Sequence, residues 1–123
     1  MKVTVVITTR NRKDSLRTAL QSVLTQTAKP EVLVIDDAST DGTAEMVRGE
    51  FPTVRLDQSP QALGLIVQRN RGASLANGDI IFSIDDDAAF STPHVIEQTL
   101  AEFEHDRVGA VAIPFINVNK VAP

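Results

Sequence analysis

Short apolar runs alternate along the chain with segments in which apolar residues recur at helical spacing. Val3–Thr8 reads VTVVIT, and such a β-branched run is typical of a strand buried on both faces of a parallel sheet. In the next segment the apolar residues recur every three or four positions, which predicts a helix. These positions are Leu16, Ala19, Leu20, Val23 and Leu24. We expect Asn11 to cap the start of this helix, and Pro30 lies beyond its end.

The same alternation continues to the end of the chain. Further strands are predicted at Val32–Ile35, Val54–Leu56, Ile80–Ile84 and Val108–Ile113. Further helices are predicted at Thr43–Arg48, Leu63–Ala76 and Pro93–Phe103. Strands that alternate with helices imply βαβ units. The expected fold class is therefore α/β, with a mostly parallel sheet flanked by helices.

Length and charge limit the number of domains and the classes of partner that the chain can have. A chain of 123 residues fits one domain of the commonest size, so residues 1–123 are expected to form a single domain. The net charge is −4, from 16 acidic and 12 basic residues, and the basic residues do not cluster. Nucleic acid is therefore not an expected partner. The chain has no cysteine, which excludes disulfide bonds and thiolate metal sites.

The hydropathy pattern bears on location. No apolar run approaches the roughly 20 residues of a membrane span. The N-terminal stretch MKVTVVITTR also lacks the apolar core and cleavage site of a signal peptide. A cytoplasmic location is therefore expected, with membrane association through a longer parent chain as the alternative.

The acidic residues are concentrated in two places. Asp36, Asp37 and Asp41 form one group, and Asp85–Asp87 form the other. Carboxylates this close repel one another by roughly 1 kcal/mol per pair even in water at about 4 Å, so their surroundings must offset that cost. In an open parallel α/β sheet, ligands bind beyond the carboxyl ends of the strands. Both groups follow predicted strands, as does the segment TTRN at Thr8–Asn11, so the three segments are expected to meet at one edge of the sheet.

Oxygen ligands suit hard cations such as Mg²⁺ and Mn²⁺, which complete their shell with water and substrate phosphates. A divalent ion that neutralises Asp85–Asp87, with a diphosphate completing the site, would make the triplet tolerable. The alternative is a solvated turn in which one Asp caps the next helix, and this is the role expected of Asp41. A cap needs only one carboxylate, so the triplet favours a ligand site.

Four segments in order resemble the family 2 glycosyltransferases of the GT-A fold, and the resemblance covers nearly the whole chain. They lie in VVITTRNRKDSLRTALQSVLTQT, in EVLVIDDASTDGTAEMV with its DDxSxD loop, and in RNRGASLANGDIIFSIDDDAAFSTP with its RN.G...A.GD segment and DXD motif. The resemblance implies the Rossmann-like, nucleotide-sugar-binding part of a glycosyltransferase. It also implies a donor that is commonly UDP-linked and a Mn²⁺ or Mg²⁺ ion. The acceptor, whether a glycan, a lipid or a small molecule, is not identified.

The resemblance also assigns roles near the base. Thr8 and Arg10 are expected to line the nucleobase pocket, with Thr9 beside them in the donor site. Asp37 is expected to accept a hydrogen bond from the base, with uracil N3–H as the expected donor, because a carboxylate suits an N–H group. Asp36 is expected either to contact the donor or to support the loop.

The remaining donor contacts are assigned to the DXD motif and to one arginine. Asp87 is expected to coordinate the metal directly, and Asp85 is the second candidate ligand. Asp86 or Asp85 would reach the ribose or a metal-bound water, and the resemblance does not divide these two roles. Arg69 is expected near the base or diphosphate, and a solvated surface arginine is its alternative.

The resemblance implies an inverting single displacement in which a carboxylate base deprotonates the acceptor. In the family that base lies in the second half of the domain, so the catalytic residue is expected beyond residue 123 and weak or absent transfer is expected from this chain alone. His94 and His105 are expected to have surface or capping roles, since neither has a partner motif. Apolar surface exposed where the second half would pack could drive assembly into a homo-oligomer.

Other classes fit less well. A response-regulator receiver domain has a similar length and an acidic Mg²⁺ site, and Lys120 resembles its lysine. Its acidic residues follow strands one and three, however, whereas here they follow predicted strands two and four. A dinucleotide-binding Rossmann domain would carry G-x-G-x-x-G after strand one, but Gly64 and Gly72 are isolated. A truncated or non-catalytic nucleotide-sugar-binding module is the alternative within the same fold.

Overall fold

A computed structural model describes residues 2–102 and a short strand at residues 116–117. The strands are β1 (Val3–Thr9), β2 (Glu31–Asp36), β3 (Arg55–Gln58), β4 (Ile80–Asp85), β5 (Ala88–Ala89) and β6 (Ile116–Asn117). The helices are α1 (Lys13–Leu24), α2 (Thr43–Glu50), α3 (Leu65–Leu75) and α4 (Val95–Glu102). None of the helices in this described part is long and apolar enough to cross a membrane.

The main sheet is parallel and has the strand order β3-β2-β1-β4. This confirms the predicted α/β class. The register pairs Thr9 with Asp36 and Thr8 with Asp85, so the carboxyl ends of β1, β2 and β4 lie side by side. Strands β5 and β6 form a separate antiparallel pair. The hydrophobic pattern did not predict that pair, because two-residue strands carry no periodicity.

Both faces of the main sheet are covered. On one face the side chains of Val5, Ile7 and Val34 pack with residues of α1 and α2 in the larger core. On the other face Val6, Leu33 and Ile35 form a smaller core beneath α3. Burial on both faces explains why β1 and β2 are almost continuously apolar.

Helix α3 lies very close to the sheet because residue 72 is glycine. A Cβ atom there would lie 2.4 Å from Val6 Cγ1 and 3.5 Å from Ile35 Cγ1. Carbon atoms in contact normally lie about 3.5–4.0 Å apart, so a side chain at this position would push the helix outward. Gly72 therefore sets the distance between α3 and the carboxyl ends of β1 and β2.

The ends of α1 and α2 differ from the prediction. Asn11 does not cap α1, because its backbone is left-handed (φ +53°) and its Oδ1 accepts the Thr40 N–H at 2.7 Å. The N-terminus of α1 is capped instead by Asp41, whose Oδ2 accepts the Lys13 N–H at 3.1 Å. The Oδ1 of Asp41 accepts the Thr43 N–H at 3.1 Å at the start of α2. The capping role expected of Asp41 is confirmed, and it serves two helices.

Other boundaries shift by one or two residues. Strand β3 begins at Arg55 rather than Val54, α3 begins at Leu65 after Gly64 with φ +91°, and α4 begins at Val95. The predicted strand at Val108–Ile113 and the end of the predicted last helix lie outside the described residues.

Candidate functional site

The loops that follow β1 and β2 are joined to each other beyond the sheet. The Asp37 N–H donates to the Thr9 carbonyl at 2.9 Å, which extends the pairing of the two strands by one bond. The Asn11 N–H donates to Ser39 Oγ at 2.9 Å. Ala38 has a left-handed backbone, with φ +60°. The segments TTRN and DDAST therefore form one connected surface at the edge of the sheet, as expected.

Asp37 lies at the centre of this surface and is buried, with 5% of its surface exposed. Its Oδ1 accepts the Leu63 N–H at 2.7 Å and the Gln68 amide at 2.8 Å, and its Oδ2 accepts the Gly64 N–H at 3.2 Å. Burial alone would raise the pKa of Asp37, but these hydrogen bonds and the charge of Arg10 together lower it below its ordinary value. Asp37 is therefore an ionised carboxylate held in one orientation.

The Gln68 amide belongs to a polar network behind Asp37. Its Nε2 also donates to Ser59 Oγ at 2.8 Å. Arg71 donates through Nη1 to Gln68 Oε1 at 2.8 Å and to Ser59 Oγ at 2.7 Å, and through Nη2 to Asp57 Oδ1 at 2.7 Å. The network ties α3 to the end of β3 and to the loop after β2. Neither Gln68 nor Arg71 was predicted from the sequence to have a role. The available signal was a polar residue on the side of a helix that faces the sheet.

Two buried polar atoms at the strand ends have no hydrogen-bond partner within the described part of the chain. They are Thr8 Oγ1 and Asp36 Oδ2. The other oxygen of Asp36 accepts the Ser39 N–H at 3.1 Å, which supports the loop. A buried polar atom without a partner costs about 1–3 kcal/mol. Thr8 Oγ1 therefore has an unused hydrogen-bonding capacity at the expected base pocket.

The acidic triplet is stabilised by protein groups. Arg69 Nη2 lies 2.9 Å from Asp85 Oδ1, and both side chains are roughly half exposed, at 45% and 48%. Arg12 Nη1 lies 3.4 Å from Asp87 Oδ2 and 3.8 Å from Asp86 Oδ1. The two arginines therefore offset part of the repulsion within the triplet, and the metal expected there stays a prediction. The sequence did not predict that Arg12 pairs with Asp87, because the two residues lie 75 positions apart.

Asp86 differs from its two neighbours because it points inward. Its Oδ2 accepts the Thr9 hydroxyl at 2.9 Å, and 9% of the residue is exposed. Burial raises the pKa of Asp86, and the charges of Asp85 and Asp87 act in the same direction. The Thr9 hydrogen bond and the Arg12 charge oppose this rise. Asp86 and Thr9 thus join the end of β4 to the end of β1.

The carboxylates fit a hard metal ion only with help from other oxygens. Among the residues that the structure describes, no three acidic, His or Cys side chains converge on one point. Asp85 and Asp87 are held by different arginines. Mg²⁺ and similar ions commonly bind through one or two carboxylates and complete their shell with water and phosphate oxygens. The donor set therefore suits an ion shared with a phosphorylated ligand rather than one held by protein alone.

The remaining candidates lie on the surface. Arg10 is exposed and contributes to the field at Asp37. His94 is exposed, and its Nδ1 lies 3.3 Å from Glu97 Oε2 at the start of α4, so its expected surface role is confirmed. His105 lies outside the described residues.

Comparison with known proteins identifies the family of this chain. The sequence profile of Glycosyl transferase family 2 matches residues 4–122. The uncharacterized glycosyltransferase YibD of Escherichia coli is 35% identical over 105 residues, which cover 81% of this chain and 30% of YibD. The glucosyl-dolichyl phosphate glucuronosyltransferase of Haloferax volcanii is 32% identical over 123 residues, which cover 93% of this chain and 39% of that protein.

Solved structures agree with this match. Mannosyltransferase PcManGT from Pyrobaculum calidifontis, in complex with GDP-Man and Mn²⁺, superposes with a TM-score of 0.79 at 28% identity, covering 88% of this chain and 34% of that one. S. aureus TarS in complex with UDP-GlcNAc superposes with a TM-score of 0.74 at 25% identity, covering 93% and 37%. The chain spans about a third of the length of these relatives.

Proposed function

Because the chain belongs to glycosyltransferase family 2, we propose that it forms the donor-binding part of an enzyme that transfers a sugar from a nucleotide-diphosphate sugar. The donor is a UDP-sugar, the reaction requires Mn²⁺ or Mg²⁺, and it inverts the anomeric centre. One observation carries the proposal. The ends of β1, β2 and β4 bring to one edge of the sheet an ionised buried carboxylate, an acidic triplet and a buried hydroxyl that has no partner among the described residues.

The base is proposed to bind at Thr8, Arg10 and Asp37. A carboxylate has about four lone-pair sites. In the described part of the chain three of those on Asp37 accept protein N–H groups, so one is left for a ligand. Uracil offers one ring N–H, which matches this single site. The relatives include a structure with GDP-Man and one with UDP-GlcNAc, so both bases must be tested.

The diphosphate is proposed to bind beside the acidic triplet. Asp87 and Asp85 would hold the ion, which when bound supplies Lewis-acid stabilisation of the departing diphosphate. The mannosyltransferase PcManGT has Mn²⁺ with its donor, which supports a divalent ion here. Arg12 and Arg69 are about half exposed, and a guanidinium pairs with phosphate as readily as with carboxylate. Both arginines can therefore exchange Asp87 and Asp85 for phosphate oxygens when the donor binds.

The acceptor is proposed to be deprotonated by a carboxylate beyond residue 123, in the part that the longer relatives add. Residues 1–123 alone are accordingly expected to bind a donor and to transfer sugar weakly or not at all. A second candidate function is a nucleotide-sugar-binding module without catalysis. It is favoured by the pairing of Asp87 with Arg12 and of Asp85 with Arg69, which occupies both proposed metal ligands.

Calorimetric titration tests the donor site. UDP, GDP and CDP are titrated into the 123-residue chain with and without Mn²⁺. We expect metal-dependent binding of UDP that is lost in Asp87→Ala and weakened in Asp37→Ala. Asp14→Ala is the matched control, because Asp14 is 85% exposed and pairs with Arg17 on the surface of α1. Absence of binding by any nucleotide, in a chain shown to be folded, would overturn the proposal.

A transfer assay separates the two candidate functions. UDP release from UDP-sugars is measured with and without added sugar acceptors, in the wild type and in Asp87→Ala. Acceptor-dependent release by the 123-residue chain, lost in the variant, would overturn the expectation that residues 1–123 are inactive alone. Binding without turnover in a longer chain that includes the second half would favour the binding module.

A further inference from the structure

We propose that Gln68 is a positioning residue for Asp37 and that, together with Arg71, it sets which nucleobase the site prefers. This inference rests on the proposed function, because it takes Asp37 as the group that meets the base. It goes beyond that function by assigning base preference to two side chains of α3 that need not touch the ligand.

Gln68 is fully buried on the face of α3 that meets the strand ends. Primary amides are rarely buried without hydrogen-bond partners, since leaving them unpaired is costly. Here each polar atom of the amide has a partner. The Nε2 donates to Asp37 Oδ1 and to Ser59 Oγ, both at 2.8 Å, and the Oε1 accepts from Arg71 Nη1 at 2.8 Å.

Arg71 determines which end of the Gln68 amide faces Asp37. A guanidinium can only donate hydrogen bonds, so the amide oxygen must be the end that meets it. Arg71 is itself fixed by Asp57, at 2.7 Å, and by Ser59, at 2.7 Å. The amide NH₂ group is therefore directed at the Asp37 carboxylate. Without Arg71 the amide oxygen would lose its partner within the described residues, and the amide would be held less firmly against Asp37 Oδ1.

As a consequence, the two oxygens of the Asp37 carboxylate accept different numbers of hydrogen bonds. Oδ1 of Asp37 accepts two hydrogen bonds, from Leu63 N–H and from Gln68, which fills both of its lone-pair sites. Within the described residues Oδ2 accepts one, from Gly64 N–H, which leaves one site for a ligand. A base with a single ring N–H, such as uracil, needs only that site. Guanine presents a ring N–H beside an exocyclic NH₂, and this pair of donors matches a carboxylate with both oxygens available.

Gln68→Met removes the amide at similar volume and frees one site on Oδ1. We expect wild type to bind UDP at least about tenfold more tightly than GDP. In Gln68→Met we expect UDP affinity to fall about tenfold, a free-energy loss of about 1.4 kcal/mol, with GDP affinity unchanged or higher. Arg71→Lys is the second variant, because Arg71 is partly exposed and its replacement is less disruptive to folding. It should shift the ratio in the same direction, by about threefold.

Two exposed residues provide matched controls. Gln98→Met makes the same change on the surface of α4, and Arg48→Lys makes the same change on α2, where Arg48 bonds only Gln58, at 3.0 Å, within the described residues. Titrations of UDP and GDP with Mn²⁺ give the affinities, and thermal unfolding verifies that each variant is folded. Both controls should keep the wild-type ratio.

The ratio of UDP to GDP affinity is the decisive quantity, because general loosening of the fold weakens both nucleotides equally. An unchanged ratio in folded Gln68→Met and Arg71→Lys, with UDP still bound, overturns the role of Gln68 and leaves the proposed function standing. So does a wild type that binds GDP as tightly as UDP. A wild type that binds neither nucleotide overturns the proposed function itself and this inference with it.

Discussion

Substitution of Gly72 by Ala adds one methyl group where α3 meets the sheet. The new Cβ would lie 2.4 Å from Val6 Cγ1, and Val6 is a buried β-branched residue on β1 with 2% of its surface exposed. A stiff, buried side chain cannot swing away, so α3 has to move outward by about 1 Å to restore a normal carbon–carbon contact. The perturbation therefore separates the helix from the strand ends.

Two opposing contributions to the free energy of unfolding determine the stability of Gly72→Ala. Overpacking a core position costs about 1–3 kcal/mol. Replacing glycine with alanine inside a helix stabilises by about 0.5–1 kcal/mol. The net expectation for Gly72→Ala is a loss of about 1–2 kcal/mol in the free energy of unfolding. For a domain of this size that corresponds to a fall of about 4–8 °C in melting temperature. UDP binding should also weaken, since α3 carries Gln68 and Arg69 into the site.

Urea unfolding measures the loss, and Gly49→Ala is the matched control. Gly49 is an exposed residue of α2, and no described atom lies within 4 Å of a Cβ placed there. That substitution should stabilise the chain by up to about 1 kcal/mol. If Gly72→Ala proves as stable as Gly49→Ala, with the same dependence on urea, the close packing of α3 on β1 cannot be what requires glycine.

Two further predictions concern single side chains. The hydrogen bond from Asn77, opposed by burial and aided by Thr4, lowers the pKa of Glu31 to about 2 from an ordinary value of 4.5. Because the folded-state pKa is the lower one, the stabilisation is present above about pH 4.5 and is lost as the pH falls toward 2. Glu31→Gln should therefore lower the free energy of unfolding by about 1–2 kcal/mol at pH 7, after allowance for solvent screening. Between those pH values the urea midpoint of the variant should fall less than that of wild type. An equal fall in both proteins would contradict the assignment. Thr8→Val removes a buried hydroxyl that has no partner among the described residues, so thermal stability should stay the same or rise by about 1 kcal/mol while UDP affinity falls. A large loss of stability without any loss of UDP binding would show that this hydroxyl serves the fold and not the ligand.

The sequence alone determined the class of the fold. The runs at Val3–Thr8 and Val32–Ile35 are almost wholly apolar, which is typical of strands covered on both faces. It also determined which edge carries the polar groups, because the acids of DDAST and DDD directly follow strands that the structure finds parallel. Both conclusions follow from the order of neighbouring residues, and local order is what a sequence displays directly.

The tertiary structure alone decided which side chains meet. Arg12 reaches Asp87 across 75 positions, and Gln68 reaches Asp37 across 31. Asn11, expected to cap α1, instead joins the neighbouring loop at Thr40, 29 residues away. Such pairs depend on strand order and on how closely α3 approaches the sheet, and no local pattern encodes either. Residue types and spacing thus located the candidate site, whereas strand order and helix packing determined its internal hydrogen bonds.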